Sequence, residues 1–229
     1  FYLEPPFTGE PQPSVKMPLR YGAIRWGRGD LAIFIDWSYK DRQQVTRRWW
    51  PDEPTRTAEV IFDQNWEDNY NDPGMFMTIT QRNDHSVLLT REEGTKMVLA
   101  GIGHGPEGSQ PFIDTYEIAT GETERLWQST PPLFEYPGYF LDEHPDWIFM
   151  GREQTTVRPN FYLRNLISGE EIQLTDYGHP YPQLRDANLE KLEYPREDGV
   201  QLRGDLHTPR DFVAGESKPL PVFMWAYPQ

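Results

Sequence analysis

The chain has 229 residues, 37% of them hydrophobic and 14% aromatic, and no cysteine. Twenty-two basic against thirty-six acidic residues leave a formal charge of −14, a mean field that repels phosphate backbones and anionic lipid and argues against a nucleic-acid partner. Without cysteine there is no disulfide framework, thiolate metal site or cysteine nucleophile, and no run approaches the roughly 18 to 20 consecutive apolar residues of a membrane span.

With 22 Pro and 18 Gly the chain is punctuated too often for long helices, and it reads as many short strands joined by turns. Residues 1–19, with five prolines, read as an irregular lead-in. Residues 21–37 read as strand, turn and strand, with Gly27 to Asp30 in the turn, and 43–50 and 57–62 continue that sheet. Residues 75–80 and 86–90 flank a polar turn as a hairpin, with 96–102 as the next strand. Segments 134–141 and 147–150 open a last sheet.

The stretches 112–127 and 160–175 can be superposed: each is a strand, a Thr-Gly-Glu or Ser-Gly-Glu turn, and a second strand. Their turn glycines, Gly121 and Gly169, lie 48 positions apart. A period of about 40 to 50 residues is that of one four-stranded propeller blade. The expected fold is therefore mainly β, an incomplete β-propeller of about three to four blades over residues 20–190, with 1–19 as lead-in or remnant of an earlier blade.

Residues 194–209 alternate, with Val200, Leu202 and Leu206 on one side and Gln201, Arg203 and Asp205 on the other, as in a half-exposed strand. Residues 219–228 form a continuous apolar run, the pattern of a strand buried on both faces of a sheet. Such a strand needs neighbours on both sides, so 191–229 reads as the start of a second domain and the chain as a fragment.

Little in the sequence carries chemistry by itself. His85, His104, His144, His179 and His207 are far apart and give no metal-ligand spacing. The glycines of 101–108 superficially resemble a phosphate-binding loop, but Ser-Gln-Pro and a strand follow them where a helix is required. The acidic pairs Glu67-Asp68, Glu92-Glu93 and Asp142-Glu143 are adjacent in sequence, whereas a glycosidase sets two carboxylates across a bond at roughly 5 to 10 Å. No serine lies in a Gly-x-Ser-x-Gly turn. Arg42, Arg47 and Arg48 are the densest basic cluster and read as surface charge. No metal or cofactor site is expected, and substrate-binding residues are left unassigned.

Several motifs occur together and in order: Ile61-Phe-Asp-Gln-Asn-Trp-Glu-Asp-Asn-Tyr-Asn-Asp-Pro-Gly74, Leu99-Ala-Gly-Ile-Gly-His-Gly-Pro-Glu-Gly-Ser-Gln-Pro-Phe112 with its continuation to Trp127, His179-Pro-Tyr-Pro-Gln-Leu184, Asp198-Gly-Val-Gln-Leu202 and Pro219-Leu-Pro-Val-Phe-Met-Trp-Ala-Tyr-Pro228. In this the chain, from about residue 45 onward, resembles the glutamyl endopeptidases, a branch of the prolyl oligopeptidase family of serine peptidases. The resemblance implies a propeller capping an α/β-hydrolase domain whose first strands are residues 191–229. It implies peptide substrates cleaved after glutamate, and a periplasmic, secreted or plastid compartment. The Ser, Asp and His of the triad would lie downstream of Gln229, leaving this chain inactive alone. It further implies that Tyr227 donates its hydroxyl to the oxyanion, an interaction whose loss costs about 3 to 4 kcal/mol of barrier. The alternative is a non-catalytic propeller-type binding module.

Overall fold

The computed structural model describes all residues except 2, 4, 107, 142, 143, 155, 156, 180, 182–184, 200 and 227–229. These residues form two compact units, one of 1–153 with 159–176, the other of 154–158 with 177–229. Among the described residues the one helical turn is the 3-10 segment Glu92–Gly94. The frequent Pro and Gly thus leave a mainly β chain, as the composition leads one to expect.

In the first unit, β1 (Arg20–Trp26), β2 (Ala32–Ser38), β3 (Gln43–Trp49) and β4 (Glu59–Asn65) form an antiparallel meander in chain order, the first sheet. The next strands are β5 (Met75–Phe76), β6 (Thr78–Thr80), β7 (Ser86–Leu88), β8 (Thr90–Arg91), β9 (Lys96–Gly101), β10 (His104–Gly105), β11 (Gly108–Ser109), β12 (Phe112–Glu117) and β13 (Thr123–Gln128). The second sheet runs β13-β12-β9-β5, with β8 also paired to β9. The third sheet is the meander β14 (Phe134–Leu141), β15 (His144–Gln154), β16 (Val157–Asn165) and β17 (Glu171–Gln173). Three blade-like sheets are thus present among the described residues.

Strand alternation decides how the sheets stack. On β9, Met97 and Leu99 pack with Ile33 of the first sheet and with Leu31, just before β2, while Val98 packs with Phe140, Ile148 and Met150 of the third. Met97, Val98 and Leu99 have no measurable exposure, because β9 has a sheet against each face and no side for water. Full burial of an aliphatic side chain contributes about 1.5 to 3 kcal/mol each. Phe62, Phe76 and Tyr116 close the first interface as an aromatic trio with centroids 5.6–5.8 Å apart. On the outer face of the first sheet, Ala32, Phe34 and Trp49 are covered by Val15 and Met17 of the proline-rich lead-in.

The hairpin expected over 75–90 forms only at its tip, where β6 pairs with β7. Beyond the tip its two arms separate and both pair with β9. The branch is a ring of three backbone hydrogen bonds: Met77 N–H to Val98 O (2.8 Å), Val98 N–H to Leu89 O (3.1 Å) and Leu89 N–H to Met77 O (2.9 Å). A buried backbone group must find a partner, and here the branch supplies it.

The 48-residue repeat is present in hydrogen bonds. Gly121 N–H donates to Glu117 O and Glu117 N–H to Glu122 O, each at 2.8 Å; Gly169 N–H donates to Asn165 O at 2.9 Å and Asn165 N–H to Glu170 O at 2.8 Å. Side chains match as well: Thr120 Oγ1 accepts from Glu122 N–H and Ser168 Oγ from Glu170 N–H, both at 3.3 Å.

The second unit contains the ribbon β18 (Asn188–Pro195) and β19 (Gln201–Thr208), paired antiparallel along its length. Its turn is held by Arg196, which forks onto Asp198 at 2.8 and 2.6 Å, and by Gly199 at φ +88°. One face carries Leu192, Tyr194, Leu202 and Leu206, the other the Glu193 and Arg203 ion pair at 3.0 Å. Val200, which the alternation places with Leu202, lies outside the described residues.

The apolar run near the end differs from expectation. Residues 219–226 form no strand, and Val222, Phe223, Met224 and Trp225 are 84, 86, 83 and 78% exposed. A strand is held by the ladder to its neighbours, and none of the described strands pairs with this segment. Its apolar composition therefore does not bury it.

Candidate functional site

The cluster Arg42, Arg47 and Arg48 is dispersed by the fold into three environments. Arg42 follows the β2–β3 turn and stacks over Tyr39 and Trp66, its carbon Cζ 4.1 and 5.2 Å from the ring centroids, with Glu67 at 3.3 Å. The hydrogen bond to Tyr39, and then the charge of Glu67, raise its pKa against the opposing effect of desolvation. Arg47 and Arg48 are consecutive on β3, so they face opposite sides of the first sheet. Arg47 bonds the buried Asp36 at 3.0 Å. Arg48 turns toward the second sheet.

There a cleft of about 800 Å³ is bounded by the β1–β2 turn, the end of β3, the β8–β9 turn and the start of the β12–β13 turn. Its charged lining includes Arg28, Asp30, Arg48, Arg91, Glu93 and Glu117. The β8–β9 turn is tight: Glu92, Glu93 and Gly94 have φ of +48°, +57° and +93°, a conformation costly for residues other than glycine. Lys96 reaches back to Glu92 at 2.8 Å, and Arg91 reaches across to Asp146 at 2.6 Å. Beside the cleft, burial pushes the Tyr116 hydroxyl pKa up, reinforced by Glu59 and opposed by Arg48.

Arg48 differs from its neighbours in what it lacks. Its Nε is shielded from solvent and meets no hydrogen-bond acceptor, and its guanidinium forms no ion pair among the described residues. Its Cζ lies 4.8 Å from the centroid of the buried Trp50 ring. An unneutralised guanidinium at the wall of a cleft can take a planar anion by a forked pair of hydrogen bonds. Sequence reasoning joined Arg48 to Arg47 and missed this; the parity of two successive strand residues was the available signal.

The remaining expectations divide as follows. Tyr227 lies outside the described residues, as do Asp142 and Glu143. The glycine-rich 101–108 segment leads through the small β10–β11 hairpin into β12 and opens no helix. Within it His104 Nδ1 and Ser109 Oγ are 3.1 Å apart, a cross-strand pair that no carboxylate completes among the described residues. His179 Nδ1 accepts the backbone N–H of Tyr181 at 3.1 Å. Glu67 is engaged by Arg42 and Glu92 by Lys96, so both act as ion-pair partners. Among the described residues no three or more His, Asp or Glu groups converge for a metal, and no helix is long and apolar enough to cross a membrane.

No family model matches the chain. Two curated plant proteins do. The chain is 34% identical over 239 residues to a probable chloroplastic glutamyl endopeptidase of Oryza sativa subsp. japonica, covering 97% of this chain and 25% of that protein. It is 33% identical over 242 residues to a protein of the same name from Arabidopsis thaliana, covering 98% and 25%. The chain thus spans about a quarter of the length of these curated relatives. Similar solved structures include the AtxE2 isopeptidase (TM-score 0.48, 11% identity, 92% of this chain and 27% of that one). Another is oligopeptidase B from Trypanosoma brucei (TM-score 0.47, 12% identity, 87% and 33%). The resemblance to glutamyl endopeptidases read from a few motifs therefore extends along 97% of the chain.

Proposed function

We propose that this chain, similar over nearly its whole length to glutamyl endopeptidase-like proteins, supplies propeller blades and the first strands of the catalytic domain in a serine peptidase. That enzyme hydrolyses peptide bonds after glutamate, and its blades admit only short or flexible peptides. The observation that carries the reading is the one-third identity sustained over 97% of the chain to two plant proteins so named. Because the match spans a quarter of each relative, the nucleophile, its base and the acid belong to the remaining length of such a parent. Tyr227 is assigned the oxyanion hydrogen bond, which stabilises charge that appears only in the transition state.

The test is a chimera in which this chain replaces the matching quarter of the rice relative. Assayed beside the unaltered relative, the chimera is expected to cleave Glu–X bonds and to be blocked by a serine-directed fluorophosphonate. Tyr227→Phe should lower kcat by roughly a hundredfold or more with little change in KM. A folded chimera that leaves peptides intact while the parent cleaves them would overturn the reading.

A further inference from the structure

Register places Arg25, Ile33, Arg48 and Glu59 in one row across β1, β2, β3 and β4. Ile33 is 1% exposed and belongs to the core shared with the second sheet. Two guanidinium groups therefore flank a fully buried aliphatic side chain on an inter-sheet face. The Nε of each is shielded and meets no acceptor, and neither side chain has an ion pair among the described residues. In a chain with fourteen more acidic than basic residues, carboxylates are abundant, yet neither Glu59, opposite Arg48 in register, nor any other carboxylate of the described residues forms an ion pair with these two guanidinium groups. An uncompensated, partly buried cation is costly to keep, and a ligand anion offsets that cost.

We propose that the cleft beside Arg48 is a carboxylate-binding site, with Arg48 making the forked contact and Arg28 closing over it from the β1–β2 turn. Arg48 is held by Trp50, whose ring also carries Arg56 at 3.4 Å, so its plane is set before a ligand arrives. Arg28 is exposed and has no ion pair among the described residues. Arg91 is already neutralised by Asp146. The acids in the lining set the charge limit. Glu92 is held by Lys96 and Asp30 accepts the N–H of Asp52 at 2.8 Å, but Glu93 and Glu117 also line the cleft and repel a dianion. A singly charged, planar carboxylate fits where a phosphate does not. The site is a binding function, separate from peptide-bond cleavage, and its ligand is either a peptide carboxylate or a free organic acid.

The purified chain, labelled at arginine nitrogen, is titrated with four probes: a capped alanine pentapeptide carrying one central Glu, its Gln counterpart, propionate and inorganic phosphate. Binding is read from tryptophan fluorescence and from the Arg48 Nε–H resonance. The Glu peptide, propionate or both should bind about tenfold more tightly than the Gln peptide and shift the Arg48 resonance. Which of the two binds identifies the source of the carboxylate. Arg48→Gln should abolish the preference and Arg28→Gln should weaken it about threefold, whereas Arg56→Gln should leave it in place. Equal binding of the Glu and Gln peptides with propionate silent overturns the proposal. So does phosphate binding as well as propionate, or a preference that survives in Arg48→Gln. Should Arg48→Gln fail to fold, the wild-type Arg48 resonance and the exposed Arg28→Gln variant decide the matter, since an unmoved resonance at saturation overturns it alone.

Discussion

Gly121 and Gly169, 48 positions apart, occupy the same place in two sheets: φ is +76° at one and +74° at the other, and each donates its N–H to the carbonyl four residues earlier. The equivalence extends through the flanking hydroxyls of Thr120 and Ser168, so one local hydrogen-bond programme builds both turns. Each turn needs a left-handed residue at one position, and glycine takes that conformation without a Cβ penalty. Gly121→Ala and Gly169→Ala should each destabilise the chain by about 1 to 2 kcal/mol. Nothing lies within 4 Å of a Cβ built on Gly169, and Tyr116 Oη is 3.4 Å from one on Gly121, so both losses are conformational and should be similar. Urea denaturation followed by tryptophan fluorescence measures them. A neutral Gly169→Ala variant would show that the turn tolerates a different geometry.

Asp36 is fully buried and accepts from Arg47 Nε and from Leu19 N–H at 3.1 Å, tying the lead-in to the first sheet. Asp36→Leu and Arg47→Met each leave one charge of the pair without its partner, and each should cost about 3 kcal/mol. Replacing both, as Asp36→Leu with Arg47→Met, should recover a large part of the sum, because two compensating desolvation costs disappear together. Strict additivity in the double-mutant cycle would contradict the pairing.

Stability should decline at alkaline pH. Burial raises the Tyr116 pKa, with Glu59 reinforcing it, and burial raises that of Tyr136, with Glu153. A group that holds its proton more tightly when folded contributes stability in full below its unfolded pKa, about 10 for tyrosine, and loses it as pH rises through the folded value. Lys96, whose hydrogen bond to Glu92 raises its pKa against desolvation, acts in the same direction. Unfolding free energy should therefore be flat with respect to these groups below pH of about 10 and fall above it. Tyr116→Phe should flatten part of that limb, and a limb of unchanged slope would remove Tyr116 from the account.

Val222, Phe223, Met224 and Trp225 expose most of their surface in sequence. A contiguous apolar, unpaired segment is a template for association. Sedimentation velocity over a concentration series should show concentration-dependent assembly, and Val222→Asp with Phe223→Asp should abolish it. Iodide should quench Trp225 in the monomer. A wild-type chain that stays monomeric throughout would show that the segment is covered.

Strands, turns and the 48-residue period were legible from the sequence because each follows from a rule with short range. Alternation has period 2, Gly121 and Gly169 answer a backbone requirement within five residues, and the proline content forbids long helices. The family resemblance was legible too, and it alone singled out Tyr227. What depends on partners distant in the chain was not legible. Residues 75–80 were correctly read as extended, but only β9 decides that Met75 and Phe76 leave their hairpin. The apolar run around Phe223 met every local condition for a buried strand, yet a strand exists only with a ladder beside it. Arg47 and Arg48 are chemically identical neighbours. Folding gives one a buried carboxylate on one face and sets the other at the wall of a cleft whose lining spans residues 28 to 119, because electrostatic environment is a property of what three-dimensional packing brings within a few ångströms.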